Sequence, residues 1–147
     1  MAGERFLRTL REMVECTQAF ERYSADQLRQ LGLTPPQFDI VATLGNTPGM
    51  SFRELGEKTL ITKGTLTGVV DRLEAKGLVR RRPSNDDARS TIVSLTARGE
   101  REFQRVFPVH TAQLKSVYAA LSAAEQDALR ALLVQLRSSF VRLGRAR

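Results

Sequence analysis

The sequence is poor in the residues from which reactive sites are usually built. It holds one cysteine, Cys16, and one histidine, His110. A single thiol excludes an intrachain disulfide and a multi-cysteine metal site. With the carboxylates scattered, no nucleophile and base can be paired and no metal cluster assembled, so neither catalysis nor a metal or cofactor is expected. Gly56-Glu57-Lys58-Thr59 has the ending of a phosphate-binding loop, but a glutamate separates the glycine from the lysine, and a helical pattern occupies what should be a flexible loop. No apolar run of transmembrane length occurs, and Met1-Ala2-Gly3-Glu4-Arg5 lacks the apolar stretch of a signal peptide. The expectation is a cytoplasmic protein with no membrane partner. Repeats, low-complexity tracts and linkers are missing too, and 147 residues suit one domain of ordinary size.

What is present in excess is positive charge. The formal charge is +7, which favours a polyanionic partner. From Thr62 to Ser90 there are seven Lys/Arg against four Asp/Glu, and from Arg130 to Arg147 five arginines and no acid. The basic tail either adds to the field that attracts the partner or keeps an exposed end soluble.

The most specific pattern lies between Ser51 and Thr96. Ser51 and Glu54 are spaced for a capping box, which predicts a helix from Phe52. Thr62 is a candidate N-cap for a second helix, in which Leu66, Val69, Val70 and Leu73 form one apolar stripe on a 3.6-residue period. The opposite face carries Gly64, Thr67, Gly68, Asp71, Arg72 and Ala75, flanked by Lys63 and Thr65. Two glycines four residues apart in a helix cost about 1 kcal/mol each relative to alanine; clearance for a close-approaching partner is one reason to keep them. Gly77 is placed to end the helix. Leu78-Val79-Arg80-Arg81-Arg82-Pro83 and Arg89-Ser90-Thr91-Ile92-Val93-Ser94-Leu95 then flank Ser84-Asn85-Asp86-Asp87-Ala88, a β-hairpin pattern. Two short helices followed by a basic hairpin are what a winged helix-turn-helix needs to grip duplex DNA. Asp87, two residues from Arg89, can hold that arginine in one orientation for a narrow minor groove. Taken alone, Arg80, Arg81 and Arg82 could be a solvated strand.

The runs Leu33-Thr34-Pro35-Pro36-Gln37-Phe38, Leu66 through Val79, and Asp87-Ala88-Arg89-Ser90-Thr91-Ile92-Val93-Ser94-Leu95-Thr96 resemble the MarR family of bacterial transcriptional regulators. The resemblance covers nearly the whole chain, and its most specific part is the Asp-x-Arg of the wing followed by Val-x-Leu-Thr. It implies a homodimer, commonly a repressor, on a pseudo-palindromic double-stranded operator, released by a small aromatic ligand or an oxidant. The implied DNA-binding residues are Thr62, Lys63, Thr65, Thr67 and Arg72 on the recognition helix, with Arg81, Arg82, Asp87 and Arg89 in the hairpin. Glycines at both Gly64 and Gly68 depart from the family's pattern and leave fewer side chains to read bases. The rival is a helical protein-interaction module with only non-specific DNA affinity.

The expected fold is mainly α with a small β-hairpin wing, a single domain over residues 1–147. Its reading head covers about 34–96, and its helical dimerisation region about 4–31 and 97–143. Phe6, Leu7, Leu10, Met13, Val14, Thr17 and Phe20 stripe a first helix; Phe103, Phe107, His110, Leu114, Val117 and Leu121 approach a heptad seam; Leu129, Leu132, Leu133, Leu136, Phe140 and Leu143 stripe the last. That is more apolar surface than one small chain can cover. Pro108 should bend or break its helix. His110 is either a hydrogen-bonded core residue or, with Phe107, the border of an effector pocket of the kind the resemblance implies. Cys16 is read as a buried structural cysteine, with redox sensing the alternative that one branch of the family offers.

Overall fold

The computed structural model describes residues 2–145. It divides into two compact units, one running to His110 and the other beginning at Thr111. The first holds α1 (Ala2–Leu31), α2 (Pro35–Leu44), β1 (Met50–Ser51), α3 (Phe52–Lys58), α4 (Lys63–Ala75), β2 (Val79–Pro83), β3 (Thr91–Leu95) and most of α5 (Ala97–Tyr118). The second holds the end of α5 and α6 (Ala123–Gly144).

Local chemistry explains most of these boundaries. Pro35 and Pro36 open α2, where their missing N–H groups would have no helical partner in any case. Thr34 Oγ1 accepts from the Gln37 N–H at 3.3 Å and Gln37 Oε1 from the Thr34 N–H at 3.1 Å, a complete capping box. Gly77 takes φ +75° beyond α4, and the Leu78 N–H returns to the Leu73 carbonyl at 3.0 Å.

The sheet is three-stranded and antiparallel in the order β1-β3-β2, where the sequence predicts two strands. β1 has two residues, Met50 and Ser51 opposite Val93 and Ile92, too few to show an alternating pattern. β2 pairs from Val79 opposite Leu95 to Pro83 opposite Thr91, and being an edge strand it tolerates a proline at its end.

The core of this unit joins Ile40, Val41 and Leu44 of α2, Leu55 of α3, and Leu66, Val69, Val70 and Leu73 of α4. Met50, Val79, Val93 and Leu95 of the sheet, Phe103 and Val106 of α5, and Leu33 and Leu78 of the connections complete it. At roughly 1.5–3 kcal/mol for each large apolar side chain buried, this cluster fixes α4 against the sheet. Pro108 does not break α5, which continues through it. Only one backbone donor is missing there, while Phe103, Val106 and His110 are buried around it.

In the second unit α6 starts with a capping box: Ser122 Oγ accepts from the Glu125 N–H at 3.1 Å, and Glu125 Oε1 from the Ser122 N–H at 2.9 Å. These bonds hold the Glu125 carboxyl below the usual carboxylate range. The stripe on α6, Leu129, Leu132, Leu133, Leu136, Phe140 and Leu143, is present and exposed along its length. On α1, Phe6, Leu7, Leu10, Val14 and Phe20 are likewise exposed. No described helix is long and apolar enough to cross a membrane.

Candidate nucleic-acid interface

Helix α3 begins at Phe52 because Ser51 Oγ accepts from the Glu54 N–H at 3.1 Å. The Glu54 carboxylate turns to the Ser51 hydroxyl, at 3.4 Å, so only half of the expected box forms. The turn into α4 is pinned along its length. Thr59 Oγ1 donates to the Leu55 carbonyl at 2.7 Å, the Leu60 N–H donates to Asp39 Oδ2 at 2.8 Å, and Ile61 packs against the core. Thr62 is the N-cap residue of α4 by backbone geometry, but its side chain makes no capping bond. Its hydroxyl instead meets that of Thr65, which also donates to the Thr62 carbonyl at 3.2 Å.

With Leu66, Val69, Val70 and Leu73 buried, the rest of α4 faces outward as the periodicity predicts. Thr62, Lys63, Gly64, Thr65, Thr67, Gly68 and Arg72 are all exposed. A β-carbon added at Gly64 or Gly68 would meet nothing within 4 Å, so the fold of the chain does not require glycine at either place. Beyond α4, Lys76 Nζ donates to Gln37 Oε1 at 3.2 Å and to the Gly32 carbonyl at 3.4 Å. The base of the wing is locked by Thr96, whose hydroxyl donates to the Gly77 carbonyl at 2.6 Å and accepts from the Gly99 N–H at 3.0 Å.

The three arginines of β2 divide by the alternation of a strand. Arg80 and Arg82 are exposed; Arg81 is half-buried and turned to α4, where its guanidinium pairs with Asp71 and, at 3.8 Å, Glu74. The same group lies 5.4 Å from the centre of the Phe52 ring. Arg81 thus departs from the expectation of an outward DNA-binding group: two carboxylates already neutralise it, and it braces the wing against α3 and α4. The acidic step Asp71/Glu74 beside three arginines was the available signal in the sequence.

At the tip, Ser84 Oγ accepts from the Asp86 and Asp87 N–H groups at 3.2 and 3.4 Å. Asp87 Oδ1 accepts from the backbone N–H of Arg89 at 3.0 Å. This corrects the expected contact with the guanidinium: a carboxylate two residues upstream reaches the peptide N–H first and closes an Asx turn. Asp87 shapes the turn that carries Arg89, while the Arg89 side chain is exposed and forms no ion pair among the described residues. Lys63, Arg72 and Arg82 likewise pair with no carboxylate among the described residues, so this surface carries uncompensated positive charge.

The residues predicted for an effector lie elsewhere in the same unit. His110 is 1% exposed, its Nε2 lies 3.2 Å from Ser24 Oγ, and the edge of its ring meets Phe38 at 4.8 Å. Phe107 is part-exposed, 5.0 Å from Phe103 and stacked on Phe38 at 6.5 Å. The contacts of His110 with Ser24 and Phe38 carried no sequence signal, because these partners are 86 and 72 positions away in the chain. Cys16 is exposed on α1, which corrects the expectation of a buried structural cysteine. Among the described residues no group of three or more His, Cys, Asp or Glu is placed to hold a metal ion.

The MarR family sequence model matches residues 33–91. The transcriptional regulator HosA of Escherichia coli O157:H7 is 34% identical over 120 residues, 81% of this chain and 86% of that one. The homoprotocatechuate degradative operon repressor of Escherichia coli is 28% identical over 135 residues, 92% of this chain and 88% of that one. A MarR variant from Escherichia coli, solved in complex with operator DNA, superposes with a TM-score of 0.79 at 26% identity, covering 90% of this chain and 95% of its own. The reading head, the locked wing and these relatives agree: the chain belongs to the MarR family of DNA-binding transcriptional regulators and is not an enzyme.

Proposed function

We propose that two copies of this chain bind a pseudo-palindromic operator as a cytoplasmic homodimeric repressor, with each α4 in a major groove and each wing in the adjacent minor groove. The observation that carries this reading is the composite outer surface of α4 and the hairpin. Thr62, Thr65 and Thr67 and the cations Lys63 and Arg72 are exposed at α4, Arg82 and Arg89 are exposed on the hairpin, and Arg81 pairs with the two acids Asp71 and Glu74. Such a surface fits phosphates and base edges. The exposed apolar stripes of α1 and α6 supply the surface a second copy would cover.

Release by a small aromatic ligand is supported by the relative that represses an operon for homoprotocatechuate, itself an aromatic acid. Phe107, with an exposed edge, and the buried His110 beside Phe38 are the residues nearest to such chemistry. Exposed Cys16 is where an oxidant would act. Footprinting the purified protein on the DNA beside its own gene, with and without aromatic acids or peroxide, tests the whole reading. The expected result is a symmetric protected site with half-sites about 10 bp apart, lost on adding effector. Protection without a preferred site, vanishing at moderate salt, would overturn it.

A further inference from the structure

We propose that Leu60 packs against the 5-methyl group of a thymine in the major groove and so helps to select the operator; this rests on the operator-binding reading above and adds a base-reading residue to it. Leu60 is 92% exposed, the highest value among the large apolar side chains described. Isolated exposed leucines are ordinary on protein surfaces, so exposure alone says nothing. Leu60 differs in how it is held. Thr59 before it is buried and bonds back to the Leu55 carbonyl through both its N–H, at 3.0 Å, and its hydroxyl, at 2.7 Å. The N–H of Leu60 itself is held by the Asp39 carboxylate of α2, and Ile61 after it is packed on the core. These contacts anchor the backbone on both sides of Leu60, which stands just before the N-terminal end of α4, the end of a recognition helix that meets bases.

The surrounding chemistry points to the kind of base contact. Gly64 and Gly68 bear no side chains. The hydroxyls of Thr62 and Thr65 are turned to each other, and Thr65 also to a carbonyl, so both hydroxyls are already engaged within the chain. Apart from the Lys63 ammonium, the leading end of α4 therefore offers no free bidentate donor, and Leu60 adds hydrocarbon beside it. In the major groove the one apolar group on a base edge is the thymine 5-methyl.

The test begins with a site enriched by the full-length protein from random duplex DNA. Each thymine of the half-sites is then replaced in turn by deoxyuridine, which lacks only the methyl group. Affinities of the wild type and of Leu60→Ala are compared at fixed salt. At one symmetric thymine position demethylation should weaken the wild type about fourfold per half-site, the value of roughly one buried methylene. Leu60→Ala should melt at the wild-type temperature, bind thymine DNA at least as much more weakly, and be indifferent to the same demethylation. If the wild type ignores demethylation at every thymine, or if the two losses simply add, Leu60 reads no methyl group while operator binding stands. If no site is enriched at all, the operator-binding reading falls and this one with it.

Discussion

Gly68→Ala separates what the fold needs from what DNA needs. Gly68 is in the interior of α4 on the exposed face, and an added β-carbon meets no atom within 4 Å. A helical glycine is less favourable than alanine by about 1 kcal/mol, so the variant should be more stable than the wild type by about that amount. For a protein of this length the gain corresponds to roughly 3 °C in Tm. On DNA the sign should reverse. If the backbone of α4 approaches the duplex to van der Waals contact at Gly68, the new methyl group overpacks the interface, at a typical cost of about 1–3 kcal/mol. That converts to roughly five- to 150-fold weaker operator binding. Calorimetric melting of the free protein and fluorescence anisotropy on the footprinted operator, at one salt concentration, measure the two quantities. A stabilised variant with unchanged affinity would refute the clearance role of the glycines, and a destabilised one would refute the open space around Gly68. Gly99→Ala is the contrasting case. A β-carbon there collides with the Leu78 carbonyl oxygen, and with backbone on the other side of the clash the variant should lose roughly 1–3 kcal/mol.

Arg89→Ala and Arg82→Ala should each lower the magnitude of the log-affinity against log-salt slope by about one unit for each phosphate that the arginine neutralises. Arg81→Met should weaken operator binding by loosening the wing while leaving that slope nearly unchanged, because its guanidinium is engaged by Asp71 and Glu74 and not by a phosphate; a full unit of change would place Arg81 on a phosphate. Ser24→Ala removes a partner of buried His110 and should lower the unfolding free energy by about 1 kcal/mol in urea titrations; no change would mean the bond contributes nothing net. Since the folded Glu125 carboxyl is held below its usual range, its cap stabilises α6 fully above that range and fades as the pH falls through the folded pKa. Glu125→Gln, still a capping acceptor, should flatten this acid-side loss of helix in circular dichroism; an unchanged acid profile would show that the cap is not its source.

The order of the helices and of the hairpin strands and the two faces of α4 are legible in the chain before it folds, though the two-residue β1 is not. They follow from short-range rules: a 3.6-residue period, a cap at Ser51, a left-handed glycine at Gly77 and the Asx turn residues of the wing all act within a few positions. Thr96 was legible as the end of a motif, though not as the latch between Gly77 and Gly99. Which polar groups stay free emerges only on folding. Arg80, Arg81 and Arg82 are equal as letters, yet strand alternation turns only the middle one onto Asp71 and Glu74. Asp87 could have held a guanidinium or a peptide N–H, and the geometry of the turn selected the latter. His110 found Ser24, and Leu60 found Asp39, across long stretches of chain that no periodicity records. Charge and capping can be read along a helix, but whether a side chain is compensated depends on the neighbours that folding brings to it.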